Sequence, residues 1–384
     1  MKSSHFFAIH QNLLTSYVYF AIFFVLGGFF PFWAPYISHF KFNLILISII
    51  VAIFPASRVI SPFLRSLMKD VKSYYFVLAC TLFAFFSILL QLFNHSFIIV
   101  LFSTAFFSMF WYAIIPLVDS QAIEVSLIAG RSYGLTRVWG SIGFLFGVLI
   151  LGFVLGYSIS YFIILILFFI FMTFIGLSNY TFNYAVRYVY TIKDFASAFF
   201  SSTSRRFLLS AMMLQFSFGS YYGFFSLDLL EHGFNLRSIS LLWLVSVVSE
   251  IVFFFIFRGN SHARYNLLVF SYFASIVRWF IIGNTDSFLL LLIAQMGHSI
   301  TFAPFHLFGV RIMRNSVKET CRELIQIIYS SLVYGLGIAL GILISGIISF
   351  YYKISTAFDL SSIISFVALI IIITEPKHKL LEKL

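Results

Sequence analysis

The chain has 384 residues, of which 61% are hydrophobic and only 10% charged, and its mean hydropathy is +1.02. A soluble domain carries about 25% charged residues, so this composition excludes a water-surrounded globule and points to lipid as the main surroundings. The net charge of +11 invites a nucleic-acid reading, which the placement of the basic residues removes.

Spanning helices need about 20 apolar residues. Such runs are predicted at 13–37, 42–64, 73–92, 96–119, 133–156, 158–179, 207–230, 236–257, 264–283, 286–310, 322–350 and 355–374. Twelve spans use roughly 240 residues and leave no room for a separate soluble domain. The expected class is therefore an all-α integral membrane protein of two six-helix halves. Residues 1–180 form the first half, 181–206 a cytoplasmic linker and 207–384 the second half. With both termini cytoplasmic, eighteen of the 24 basic residues fall on inner segments, among them Lys2, Arg65, Lys69, Arg131, Arg205, Arg311, Arg314 and Lys383. Only Lys41, Arg237 and Lys353 fall outside. This is the positive-inside bias, and it explains the charge without a polyanion. The expected location is the inner membrane of a bacterium.

In chain order, Lys2–Gln11 is weakly basic, but the run after it is long enough to span and lacks a small-residue cleavage pattern, so it is read as an uncleaved first helix. Arg58 and Arg65 flank Pro62 near the inner end of span two, where snorkelling is the simple reading. Trp111, Tyr112 and Pro116 precede Asp119, which is expected to end span four. Arg137 lies within span five, where Arg137, Ser141 and Phe144 share a helical face. A charge at mid-helix in lipid costs about 2.5–3.5 kcal/mol even on lenient scales. Asp119 and Arg137 are therefore candidate substrate-binding residues, since a guanidinium holds a carboxylate or two hydroxyls in a fork. Gly143/Gly147, Gly152/Gly156 and Gly337/Gly341 have the spacing that lets membrane helices approach closely.

In the second half, Tyr221 and Tyr222 of span seven are cavity candidates. Glu250 of span eight shares a face with Trp243 and Ser246. Arg278 of span nine lies near Ser271 and Ser275. His298, Thr301 and His306 line roughly one side of span ten. A carboxylate that alternates between an apolar cavity and an arginine can load and release a proton, and histidine titrates near neutrality. Glu250, Arg278 and His298 are therefore the expected proton-coupling group; Trp111, Thr301 and His306 are further cavity candidates. No cofactor is expected, and no metal, because ligand spacings are absent. A Walker loop is missing, as are hydrolase signatures, so neither ATP drive nor enzyme chemistry is indicated. Cys80 and Cys321 fall in a span and on an inner loop and cannot pair. Most of the 54 Phe residues are expected to face lipid.

Twelve spans with a mid-chain inner loop match the layout of the major facilitator fold, whose halves repeat about an axis along the membrane normal. Specific motifs extend the resemblance. Tyr19–Pro35, Tyr133–Phe144, Phe218–Ser226, Val277-Arg-Trp279 and His298–His306 resemble the branch of that superfamily holding the lactose and 3-phenylpropionate permeases. The last three are similar to the phenylpropionate subgroup. The resemblance implies that Arg137 is the binding arginine with Asp119 as its acidic partner, and that Phe144 takes the place of a sugar-stacking ring. Tyr221 would be a cavity tyrosine, and Glu250, Arg278 and His298 the charged cluster. Thr301 stands where the lactose permease has its proton-carrying carboxylate, which leaves Glu250 or His298 for that role. After span two, Arg65 replaces a glycine and Lys69 an aspartate of the usual gate motif. The implied function is proton symport of a small polar or anionic solute, a 3-phenylpropionate-like aromatic acid, by a monomer in lipid. Alternatives are a sugar or oligosaccharide symporter, because Asp119 would repel an anion unless it stays bridged to Arg137, and a non-transporting sensor or assembly protein on the same scaffold.

Overall fold

A computed structural model of the chain describes residues 2–68, 70–128, 130, 133–156, 158, 161–180, 192–201, 205–257, 261–375, 380–382 and 384. Among these the chain is helical. Its elements are α1 (Lys2–Ser38), α2 (Leu44–Leu67), α3 (Ser73–Leu89), α4 (Phe97–Ile128), α5 (Tyr133–Leu155), α6 (Tyr161–Ser178), α7 (Ile192–Ser201), α8 (Arg205–Glu231), α9 (Leu236–Ile256), α10 (Ser261–Gly283), α11 (Phe288–Met296), α12 (His298–Arg314), α13 (Arg322–Tyr329), α14 (Ile338–Tyr351) and α15 (Ile354–Ile373). A continuous turn at Gly297 joins α11 to α12, and a π-helical stretch, Ser330–Gly337, joins α13 to α14. Counting each joined pair once and setting aside the short α7 gives twelve membrane helices. Eleven are long and apolar enough to cross a bilayer.

The twelfth is α8, and its burial explains its polarity. Its 27 residues include Gln215, Ser217, Ser220 and Asp228, all buried. Ser217 accepts from Trp279 Nε1 at 3.0 Å and from Ser365 at 2.9 Å, Ser220 meets Ser361 at 2.7 Å, and Ser210 donates to Ala368 O at 2.7 Å. A helix enclosed by α10, α14 and α15 has no need of a lipophilic surface. Its hydroxyls instead act as interhelical bonds.

The chain forms two compact units. One comprises residues 1–40 and 60–189, the other 41–59 and 190–384. The first part of α2 groups with the second unit because small residues admit it: Gly346 lies against Ser48, and Gly335 against Pro55, Arg58 and Val59. Ser331 Oγ donates to Arg58 O at 3.2 Å. Of the linker, α7 is described and lies near α13. The remainder of the linker falls outside the described residues, as do Lys69, Arg131, Arg187, Arg258, Lys377, Lys379 and Lys383.

Each unit is built on a glycine-lined crossing of its first and fifth spans. Gly143 faces the Phe20 carbonyl, Gly147 that of Phe24, and Gly27 that of Phe144, so α1 and α5 touch backbone to backbone. Gly219 and Gly341 do the same for α8 and α14, and Gly337 adds the Met212 carbonyl. A methyl at Gly143 or Gly341 would enter a backbone carbonyl, which no rotamer change relieves. Gly143→Ala and Gly341→Ala are each expected to cost about 1–3 kcal/mol and to lower the unfolding temperature in detergent. Gly223→Ala, whose methyl would meet only the Ile342 side chain at 3.1 Å, serves as the comparison, and equal stability of all three variants would show that the crossings tolerate added bulk.

Two expectations are corrected. Asp119 does not end its span, because α4 continues through Gln121 and Val125 to Ile128. Arg65 does more than snorkel. Its Nη1 donates to Met68 O at 2.7 Å and Val71 O at 3.0 Å, and its guanidinium lies 5.2 Å from the Phe76 ring centroid. It thus ties down the carbonyls of the turn that follows α2, and as a cation in the last turn it meets the negative end of the helix dipole.

Candidate functional site

In the first unit the polar site is assembled by α1, α4 and α5. Asp119 and Arg137 meet on Tyr19. The Tyr19 hydroxyl donates to Asp119 Oδ1, while the Arg137 guanidinium lies 5.4 Å from the Tyr19 ring and 4.3 Å from the Phe23 ring. Among the described residues the ion pairs do not include Asp119 with Arg137. The guanidinium is laid flat by the absence of a side chain at Gly140, where a Cβ would sit 2.8 Å from Arg137 Nη1. Cation–π contacts of this kind contribute about 0.5–2 kcal/mol and leave the N–H edge of the fork available. Ser141 and Phe144 continue the same face of α5, half-buried, with Phe144 6.4 Å from Phe30. Trp111 is placed elsewhere: it is buried, stacked on Phe107 at 5.6 Å, with its indole N–H unpartnered.

The second unit brings Tyr221, Glu250, Arg278, His298 and Thr301 together. Arg278, 3% exposed, is the hub. Its Nε donates to Ala294 O at 2.9 Å, its Nη2 to Gln295 Oε1 at 3.2 Å, and its Nη1 reaches His298 Nδ1 at 3.1 Å and Thr301 Oγ1 at 3.5 Å. Its guanidinium lies 4.5 Å from both the Tyr221 and Trp279 rings. Glu250 joins through His298, whose Nε2 is 3.6 Å from Glu250 Oε2. Arginine has donors only, so His298 Nδ1 must accept. The ring proton is then on Nε2, pointing at Glu250. Protonating His298 would set its Nδ1–H against the Arg278 donors.

His306 stands apart from this hub. It stacks on Phe302 at 5.6 Å and meets the Tyr334 hydroxyl at 2.8 Å. Tyr334 lies in the π-helical stretch; such segments occur often at functional sites.

Three participants escape the sequence reading: Tyr19, Phe23 and Gln295. Gln295 accepts from both Tyr221 (3.0 Å) and Arg278 (3.2 Å), and its Nε2 is buried without a partner. A fully buried amide inside an apolar run was the available signal. Gln295→Leu removes the shared acceptor, which costs about 1–3 kcal/mol. Reduced thermal stability together with reduced uptake is expected, with Gln295→Glu retaining more of both. A fully active Leu variant would show that the amide is dispensable. Among the described residues no group of three or more His, Cys, Asp or Glu could hold a metal.

Twelve membrane helices in a repeated arrangement, each unit with an acid and an arginine joined through a polar ring, define a multi-pass carrier of small solutes. The chain belongs to the MFS_1 like family, whose model matches residues 13–360, and with it to the major facilitator transporters. It is 27% identical over 353 residues, covering 87% of this chain and 90% of the relative, to the probable 3-phenylpropionic acid transporter of Escherichia coli (strain K12). Its fold is similar to that of a point variant of the nucleoside transporter NupG, with TM-score 0.84, 16% identity and coverage of 95% of this chain and 100% of that one. It is also similar to a bacterial homologue of the human drug peptide transporters PepT1 and PepT2, with TM-score 0.71, 11% identity and coverage of 95% and 97%.

Proposed function

We propose that this chain is a proton-coupled symporter of a small aromatic carboxylate of the phenylpropionate kind, a monomer of the bacterial inner membrane with cytoplasmic termini. It works by alternating access, with halves at 1–180 and 207–384. One observation carries the reading: Arg137 rests on the Phe23 and Tyr19 rings while Tyr19, rather than Arg137, occupies Asp119. Asp119 is held by Tyr19 and, among the described residues, not bridged to Arg137, so its repulsion of an anion weighs toward the sugar alternative, while the guanidinium left unspent supports the carboxylate. A guanidinium bordered by rings suits a carboxylate on an aromatic body. Ser141 and Phe144 extend the binding face, Tyr221 contributes from the second half, and Glu250 carries the proton with Arg278 and His298 setting its surroundings.

The test is uptake of a radiolabelled panel into proteoliposomes: 3-phenylpropionate, cinnamate, a disaccharide and a nucleoside. Saturable uptake of the aromatic acids, blocked by excess unlabelled acid, is the expected result. Uptake of the disaccharide alone would replace the substrate class, and uptake of none would favour a non-transporting role.

A further inference from the structure

The second unit carries a cavity of about 770 Å³ away from the Arg278 hub, lined by Arg264, Arg311, Arg314 and Arg322 together with Asn315, Phe257, Leu307, Phe308 and Val310. No carboxylate is among its lining residues. Two of the four arginines have partners on the chain: Arg322 Nη1 donates to Glu319 at 3.1 Å, and Arg264 Nη1 to Leu384 O at 2.9 Å. Arg311 and Arg314 lie in the last turn of α12. No ion pair to either occurs among the described residues.

A second cavity, about 780 Å³, shares Phe257 as a wall and is lined almost wholly by apolar side chains: Leu244, Val245, Val248, Val252, Phe253 and Ile256 of α9, with Leu292 and Met296 of α11. The two cavities adjoin at Phe257. Met296, Leu307 and Arg314 are spaced so that they share one face of the joined α11–α12 helix. From Phe257 back to Leu244 the groove runs about 20 Å at 1.5 Å per residue, the length of an extended acyl chain. Its walls include the exposed Val248, Val252, Ile256 and Met296.

We infer that this groove is a binding site for an anionic glycerophospholipid, its phosphate held by Arg311 and Arg314 and one acyl chain laid along α9. A free anion would use the basic end and ignore the groove, while a zwitterionic lipid would use the groove and gain little from the arginines. Basic pockets between membrane helices are a recognised way of holding such headgroups. The occupant follows from both ends together.

The experiment is native mass spectrometry and thermal unfolding of the full-length, delipidated protein in mild detergent, titrated separately with phosphatidylglycerol, phosphatidylcholine of the same chains, inorganic phosphate and 3-phenylpropionate. One retained phosphatidylglycerol is expected, bound roughly tenfold or more tighter than phosphatidylcholine. Arg311→Gln with Arg314→Gln should abolish that preference, and Arg311→Lys with Arg314→Lys should keep most of it. Val252→Trp, which fills the groove, should weaken both lipids. Equal binding of the two lipids by the wild type would overturn the site, and so would stabilisation by phosphate that matches phosphatidylglycerol; stabilisation by 3-phenylpropionate should persist in the Arg311 and Arg314 variants. Wild-type titration needs no variant, so a misfolded substitution does not rescue the idea.

Discussion

Replacing Glu250 with Gln is expected to stop accumulation of solute against its gradient while solute-for-solute exchange continues. The amide keeps the size of the side chain and an oxygen facing His298 Nε2, which lies 3.6 Å from the carboxylate. It cannot take up and release a proton. One proton carried with one carboxylate is electroneutral, so the pH difference alone drives the step, and each pH unit sustains a roughly tenfold gradient, about 1.4 kcal/mol. In the Gln variant that tenfold factor per unit should fall to about one. Accumulation at wild-type levels would remove Glu250 from coupling. His298→Gln provides the contrast, because in the proposed coupling the proton is carried by Glu250 and not by His298. It should impair transport in part and leave the dependence on pH gradient in place.

Arg137→Lys is expected to produce the largest loss of substrate affinity. A lysine keeps the charge but loses the planar fork and most of the stacking on Phe23 at 4.3 Å. Charge-assisted hydrogen bonds contribute about 1.5–3 kcal/mol, so affinity should fall roughly 10- to 100-fold. Thermal stabilisation by 3-phenylpropionate, or its half-saturation for exchange, reads the change. Tyr19→Phe gives a companion result: Asp119 loses its hydroxyl donor, and the freed carboxylate should weaken an anionic substrate further than a neutral one. Wild-type affinity in Arg137→Lys would leave Arg137 a structural role only.

Much of the fold is legible from apolar run length, because a membrane helix must satisfy its backbone internally and offer lipid an apolar surface. Even α8, whose hydropathy is modest, is bounded by Arg205 and Glu231 and so found by its flanks. What run length does not reveal are the breaks inside spans ten and eleven. Gly297 and the Ser330–Gly337 stretch sit in uninterrupted apolar sequence, and a π-helical register costs no hydropathy. The inner end of span four is misread for the opposite reason: Asp119 looks like a terminus, but Tyr19 offers it a buried donor and the helix runs on.

The site divides in the same way. Stranded charges such as Asp119, Arg137, Glu250 and Arg278 announce themselves by their cost in lipid. Their connections do not. Tyr19 and Gln295 are ordinary residues in an apolar run, and only the helix crossings bring one to Asp119 and the other to Arg278. The sequence pairs acid with arginine directly, whereas the fold inserts a ring between them in both units.

Solute-driven proton movement is the most direct measurement. Proteoliposomes loaded with a pH-sensitive dye, at zero pH gradient and clamped potential, receive 3-phenylpropionate outside. The lumen should acidify with the wild-type protein, remain unchanged with Glu250→Gln, and be indifferent to an imposed membrane potential. Uptake of the acid without luminal acidification by the wild type would contradict proton symport.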